Sequence, residues 1–134
     1  MKNILFSFFI MLLILSCSNQ EEGTSSIQGK VYMFQSLNLT DTLFYHPYAD
    51  KDVYIIYSSN ENDVYDDSFE THWDGTYRFD NLQQGNYIIF TYVDSTMPLQ
   101  IGSITIEYPI LKHIEIKENN TVYTLEDIVV EHDE

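Results

Sequence analysis

The chain has 134 residues, with six Lys and Arg against 21 Asp and Glu, four His, one Cys, eleven Tyr, eight Phe and one Trp. That length fits one domain, and a net charge of −15 argues against DNA or RNA as a partner, because phosphate binding needs a basic patch. A single Cys excludes an internal disulfide framework and a Cys-rich zinc site, and an apolar share of 44% is too high for a disordered acidic tail.

The first element in chain order is a leader. Lys2 supplies a positive start, and residues 4–15 form an apolar run broken only by Ser7. A spanning helix needs about 20 apolar residues, so this run is short for a membrane helix and has the length of a signal-peptide core. Ile14-Leu15-Ser16-Cys17 follows, and Cys17 is the sole Cys. This arrangement resembles the lipobox of bacterial lipoproteins, in which the peptidase cuts before Cys. The resemblance implies a signal peptide over 1–16, acylation of Cys17 by three chains, and a membrane partner reached through that lipid. One chain gives only marginal attachment, whereas three make it effectively permanent.

Residues 17–26 are small and polar and read as a flexible tether. Ser18 after the Cys favours the outer membrane by the enterobacterial sorting pattern. Glu21 and Glu22 resemble the acidic tract that takes some Bacteroidetes lipoproteins to the cell surface, and they equally suit a solvated tether. The face of the outer membrane thus stays open between periplasmic and surface-exposed.

From Ile27 to the end, 27–134, the pattern is β. Val, Ile, Tyr, Phe and Thr dominate, and Ala occurs once, at Ala49. Strands are expected over 27–34, 52–58, 68–73, 76–80, 86–93, 101–107, 111–117 and 121–131. Together they predict an all-β fold, an antiparallel sandwich of seven or eight strands.

The centre of the chain carries the most specific pattern. Asp74-Gly75 forms a tight-turn pair, Tyr77 and Phe79 alternate onto one face, Leu82 and Gly85 flank a second turn, and Tyr87 opens the next strand. This ungapped run, with Ile27-Gln28-Gly29-Lys30-Val31 before it, resembles the carboxypeptidase regulatory-like family and its Cna B-type relatives. The resemblance implies a prealbumin/immunoglobulin-like sandwich and no catalytic residue. In physical terms, Tyr77 and Phe79 fill the space between sheets, Leu82 plugs one end, and Gly85 lets the chain reverse. Tyr87 buries its ring while its hydroxyl seeks a backbone carbonyl.

Chemistry is sparse. His46, His72, His113 and His132 show no metal spacing, and His113-Ile114-Glu115 is the one tight cluster. The acidic stretch 61–67 has oxygens for calcium but lacks the Asp-x-Asp-x-Asp-Gly spacing, so a solvated loop is expected. No cofactor or metal is expected, and no enzyme activity.

Alternation places Val31, Met33, Val53, Ile55, Tyr57, Tyr87 and Ile89 on an inner face. The opposite positions are then Tyr32, Phe34, Tyr54, Ile56, Ile88, Phe90 and Tyr92, too apolar for open water. Either Leu43, Phe44, Tyr45 and Tyr48 of the insertion at 35–47 and its flank cover this face, or it is an aromatic platform for a glycan, peptide or protein. The expected function is a non-enzymatic, outer-membrane-anchored binding or assembly module of the cell envelope. The alternative is a structural accessory subunit of an envelope transporter or fimbria-like complex.

Overall fold

Alternating Val, Ile, Tyr and Phe build nine strands in the described residues of this computed structural model, which are 23–37, 42–99 and 101–131. The leader, Cys17 and most of the tether lie outside them. The strands are β1 (Ser25–Leu37), β2 (Thr42–Pro47), β3 (Asp52–Ile56), β4 (Asp67–Glu70), β5 (Thr76–Leu82), β6 (Gly85–Pro98), β7 (Ser103–Ile116), β8 (Val122–Thr124) and β9 (Ile128–Glu131).

They form two sheets. The first is centred on β1. One edge of β1 pairs antiparallel with β5 and then β2, and β8 and β9 run parallel to it. Val31 marks the handover from β5 to β2: its N–H donates to Gly75 O at 2.9 Å and its carbonyl accepts from Tyr48 N at 2.9 Å. The second sheet has the order β4-β3-β6-β7, all antiparallel.

The all-β sandwich expected from the sequence is the observed architecture, with nine strands and two parallel pairings. The insertion contributes β2. Residues 101–107 and 111–117 belong to one strand, while 121–131 divides into two. Ordered chain also begins earlier than Ile27. Ser25 and Ser26 are buried in β1, and Ser25 Oγ donates to Glu118 O at 2.7 Å and accepts from Thr121 N at 3.3 Å.

Between the sheets sits one core. Ile27 and Val31, Tyr77, Phe79 and Leu82, and Ile128 and Val130 come from the first sheet. Val53 and Ile55, Tyr87, Ile89 and Val93, and Ile116 come from the second. Met33 is only half-buried, and Tyr57, just past the end of β3, is exposed.

Why Phe79 and Leu82 both reach the core is a matter of backbone. They are three residues apart, so simple alternation would send them to opposite faces. Pairing with β1 shifts register between Ser25↔Leu82 and Ile27↔Phe79, and Asn81 lies in the left-handed region at φ 59°. This bulge adds one residue to β5 and turns Leu82 inward, at a position Asn tolerates. Beside it, Tyr87 is buried and its hydroxyl donates to Gln83 O at 2.8 Å.

Gly29 has a similar local cause. Tyr77 lies opposite it across the strands, and a Cβ at position 29 would overlap the Tyr77 hydroxyl. That hydroxyl is buried without a hydrogen-bond partner; desolvation raises its pKa, with Asp127 adding to the rise.

The β4–β5 turn closes on Gly75, at φ 75°, whose N–H donates to His72 O at 2.8 Å. Asp74 Oδ1 accepts from Thr76 Oγ1 at 2.6 Å and from Thr76 N at 3.1 Å. The Thr76 hydroxyl bond is the main reason the Asp74 carboxyl titrates below its usual range. A carboxyl with a depressed folded pKa stabilises above its unfolded value and loses that contribution as pH falls through the folded one. Asp74→Ala is therefore expected to lower the melting temperature at neutral pH. The gap to the parent chain should close on acidification below the ordinary Asp range, which paired thermal melts will measure.

Candidate functional site: a loop-covered aromatic cleft

Successive residues of a strand face opposite ways, and β6 is apolar on both faces. Ile89 enters the main core, while Ile88 and Phe90 join Ile56 in a second, smaller cluster on the far side of the second sheet. Tyr54, Tyr92 and Leu111 pack against it. These rings form a continuous group. Tyr54 stacks on Phe90 at 5.2 Å, Tyr92 stands edge-on to Phe90 at 5.4 Å and to Tyr54 at 5.7 Å, and Tyr65 leans on Tyr54 at 4.7 Å. Burial raises the Tyr54 pKa, with Asp52 the next cause.

The seven-residue face read from the sequence thus separates. Tyr54, Ile56, Ile88, Phe90 and Tyr92 come together, whereas Tyr32 and Phe34 stand on β1 in the other sheet, Phe34 against Tyr45 at 5.3 Å. The surface is also no open platform, since Ile56, Ile88 and Phe90 are buried. Nor do the described residues of the insertion cover it. Tyr48 packs on the main core and Tyr45 on Phe34, and the side chains of Leu43 and Phe44 lie outside the described residues.

The cover is the acidic β3–β4 loop, residues 57–66. Its own carboxylates hold it. Asp66 Oδ2 accepts from Tyr57 N at 2.7 Å, and Asp66 N donates to Ile55 O at 2.8 Å. Asp63 accepts from Ser58 Oγ at 2.6 Å and from Asn60 Nδ2 at 2.5 Å. Glu61 Oε1 meets His113 Nε2 on β7 at 2.9 Å and pins the loop across the sheet. His113 takes Glu61 as its partner, while Glu115 pairs with Lys117 at 3.3 Å on an exposed strand face. Among the described residues, no three of His, Cys, Asp and Glu converge as a metal site.

Loop and sheet leave a cleft of about 420 Å³ between them, within the ~300–1,000 Å³ of small-molecule sites. Phe90, Tyr92 and Leu111 line it from the sheet, and Tyr65, Glu61 and Asn62 from the loop. Glu61 Oε2 and Asn62 Oδ1 have no partner among the described residues. The site therefore pairs aromatic surface with open oxygen acceptors. Sequence reading missed the loop's share because an acidic run looks solvated. The signal within it was Val64-Tyr65, two apolar residues between acids.

No family model matches the chain, and no curated protein does. Among solved structures, the crystal structure of a candidate carbohydrate binding protein from Pseudomonas aeruginosa is similar, with a TM-score of 0.49 and 13% identity. The match covers 86% of this chain and 92% of that one. A likeness at that level lends the cleft no ligand.

Proposed function

We propose that this chain is a non-enzymatic, lipid-anchored binding module of the outer membrane that holds a glycan in the cleft under the β3–β4 loop. The supporting observation is the cleft's composition. A pyranose ring has an apolar face of C–H groups and a rim of hydroxyls. Tyr65, Phe90 and Tyr92 offer flat apolar surface to the first, and Glu61 and Asn62 offer acceptors to the second. With about 12 non-hydrogen atoms at roughly 0.3 kcal/mol each, one sugar unit gains only about 4 kcal/mol, a millimolar affinity. A glycan array, which presents sugars multivalently, is therefore the suitable test. The full chain in detergent is expected to bind a neutral-glycan subset and to lose it on Tyr65→Ala. An array with no response, or one unchanged by that substitution, contradicts the reading. Anchoring through Cys17 is tested by mass spectrometry of the mature N-terminus.

One observation favours assembly as a second reading. The β6–β7 hairpin carries its tip, where Leu99 N donates to Gly102 O, about 45 Å of strand from Gly85. Ser25 pairs with Leu82 at the Gly85 end, so the tip lies at the far end of β6 from the start of β1. Ile104, Ile106 and Tyr108, alternate residues on β7, are exposed, as are Leu99 and Ile101. Such a ribbon suits an envelope protein partner. Ile104→Asp with Ile106→Asp is expected to release a stoichiometric partner from detergent extracts while moving stability by no more than about 0.5 kcal/mol per site. Absence of any such partner from the parent extract contradicts assembly.

A further inference from the structure

A second depression lies on the outer face of the first sheet, on the opposite side of the sandwich from the cleft. Gln28 and Lys30 of β1 alternate with the core residues Ile27 and Val31, and Thr76 and Arg78 of β5 alternate with Tyr77 and Phe79. The register Gln28↔Arg78 and Lys30↔Thr76 makes these four side chains neighbours, and Thr124 of β8 pairs beside Gln28. Together with His72 and Asp127 they line a cup of about 350 Å³.

Two features set this cup apart in so acidic a chain. First, Arg78 is held in place. Its Nε donates to Asp80 Oδ1 at 2.7 Å and its Nη1 to Gln28 Oε1 at 3.0 Å, while Gln28 Nε2 donates to Thr124 Oγ1 at 3.2 Å. This chain of bonds orients the guanidinium and leaves its Nη2 hydrogens free of any partner among the described residues. Second, Lys30 is half-buried and has no ion-pair partner among the described residues, despite 21 acidic residues in the chain. The nearby Asp74 accepts from Thr76 and attracts Lys30 only from beyond ion-pair distance. An Arg oriented by Asp80 and Gln28 with its Nη2 hydrogens open, beside a Lys without an ion-pair partner, has the pattern of an anion site.

From this we infer that the cup binds a carboxylate borne on a small polyhydroxylated molecule, a sugar acid. The carboxylate sits on Arg78 and Lys30, and the hydroxyls face Asp127, Thr124 and Thr76. Asp127 sets the selectivity, because it repels a bare dianion and accepts from hydroxyls. This site is independent of the glycan cleft and does not need that reading to hold.

The test is a nuclear magnetic resonance titration of the full chain in detergent with glucuronate, glucose, acetate and a galacturonate oligomer. Glucuronate is expected to shift the amides of 28–30, 76–78 and 124 saturably, with glucose silent there and acetate weaker. Lys30→Met and Arg78→Met should each weaken glucuronate about tenfold or more without changing the melting temperature, and added salt should weaken it further. Tighter binding of the oligomer assigns the acid to a polymer, and equal binding per unit to a free sugar; either supports the site. Glucuronate affinity unchanged in Lys30→Met and Arg78→Met overturns it. So does glucose matching glucuronate at these amides, or acetate binding as tightly as glucuronate.

Discussion

Ile88→Ala and Ile89→Ala are each expected to destabilise the fold by about 2–5 kcal/mol. The two residues are adjacent, both fully buried, and point to opposite sides of β6. Ile89 lies between the sheets, so a large loss there follows from the sandwich alone. Ile88 is the informative one. It lies in the small cluster on the sheet face that the β3–β4 loop crosses, so its truncation leaves a closed cavity only if that loop stays over the sheet. Measured by urea unfolding, similar losses at both sites support a covered face, whereas a loss at Ile88 well under half that at Ile89 would mean an open platform. Against a total stability of about 5–15 kcal/mol for a domain of this kind, either loss is large.

The second large effect is on binding. Tyr65 is half-exposed, contributes one wall of the cleft and touches the sheet through Tyr54. Replacing it with Ala removes the loop's aromatic surface but leaves the Asp63 and Asp66 bonds that shape the loop. Affinity for the glycan is expected to fall about tenfold or more, the equivalent of one aromatic contact. Phe90→Ala would not serve, because Phe90 is buried and its loss would compromise folding as well. Calorimetric titration of parent and Tyr65→Ala, with melts of both, separates the two effects. Unchanged affinity in the variant would remove the cleft from consideration.

Local rules made parts of this fold readable, and long-range pairing hid the rest. Tyr77, Phe79, Gly75 and Tyr87 follow from alternation and turn chemistry confined to a few neighbouring residues. Tyr108-Pro109 reads as a break, yet β7 continues through it, because β7 is an edge strand and Pro is tolerated there. The parallel pairing of β8 and β9 with β1 joins residues about as far apart as the chain allows, and nothing local encodes it. Alternation also tells which side of a strand a residue faces but not which sheet the strand joins. Alternation alone therefore groups Tyr32 and Phe34 with Tyr54 and Phe90, which lie in the other sheet. The loop's role depended on Glu61 reaching His113, a contact between residues 52 apart in sequence.

The most direct test of a glycan-binding cleft is amide shift mapping of the isotope-labelled full chain with an array-selected neutral glycan. Saturable shifts should gather at Tyr54, residues 61–65, Phe90, Tyr92 and Leu111 and vanish in Tyr65→Ala. Shifts confined to other parts of the molecule, or none at millimolar sugar, would contradict the account.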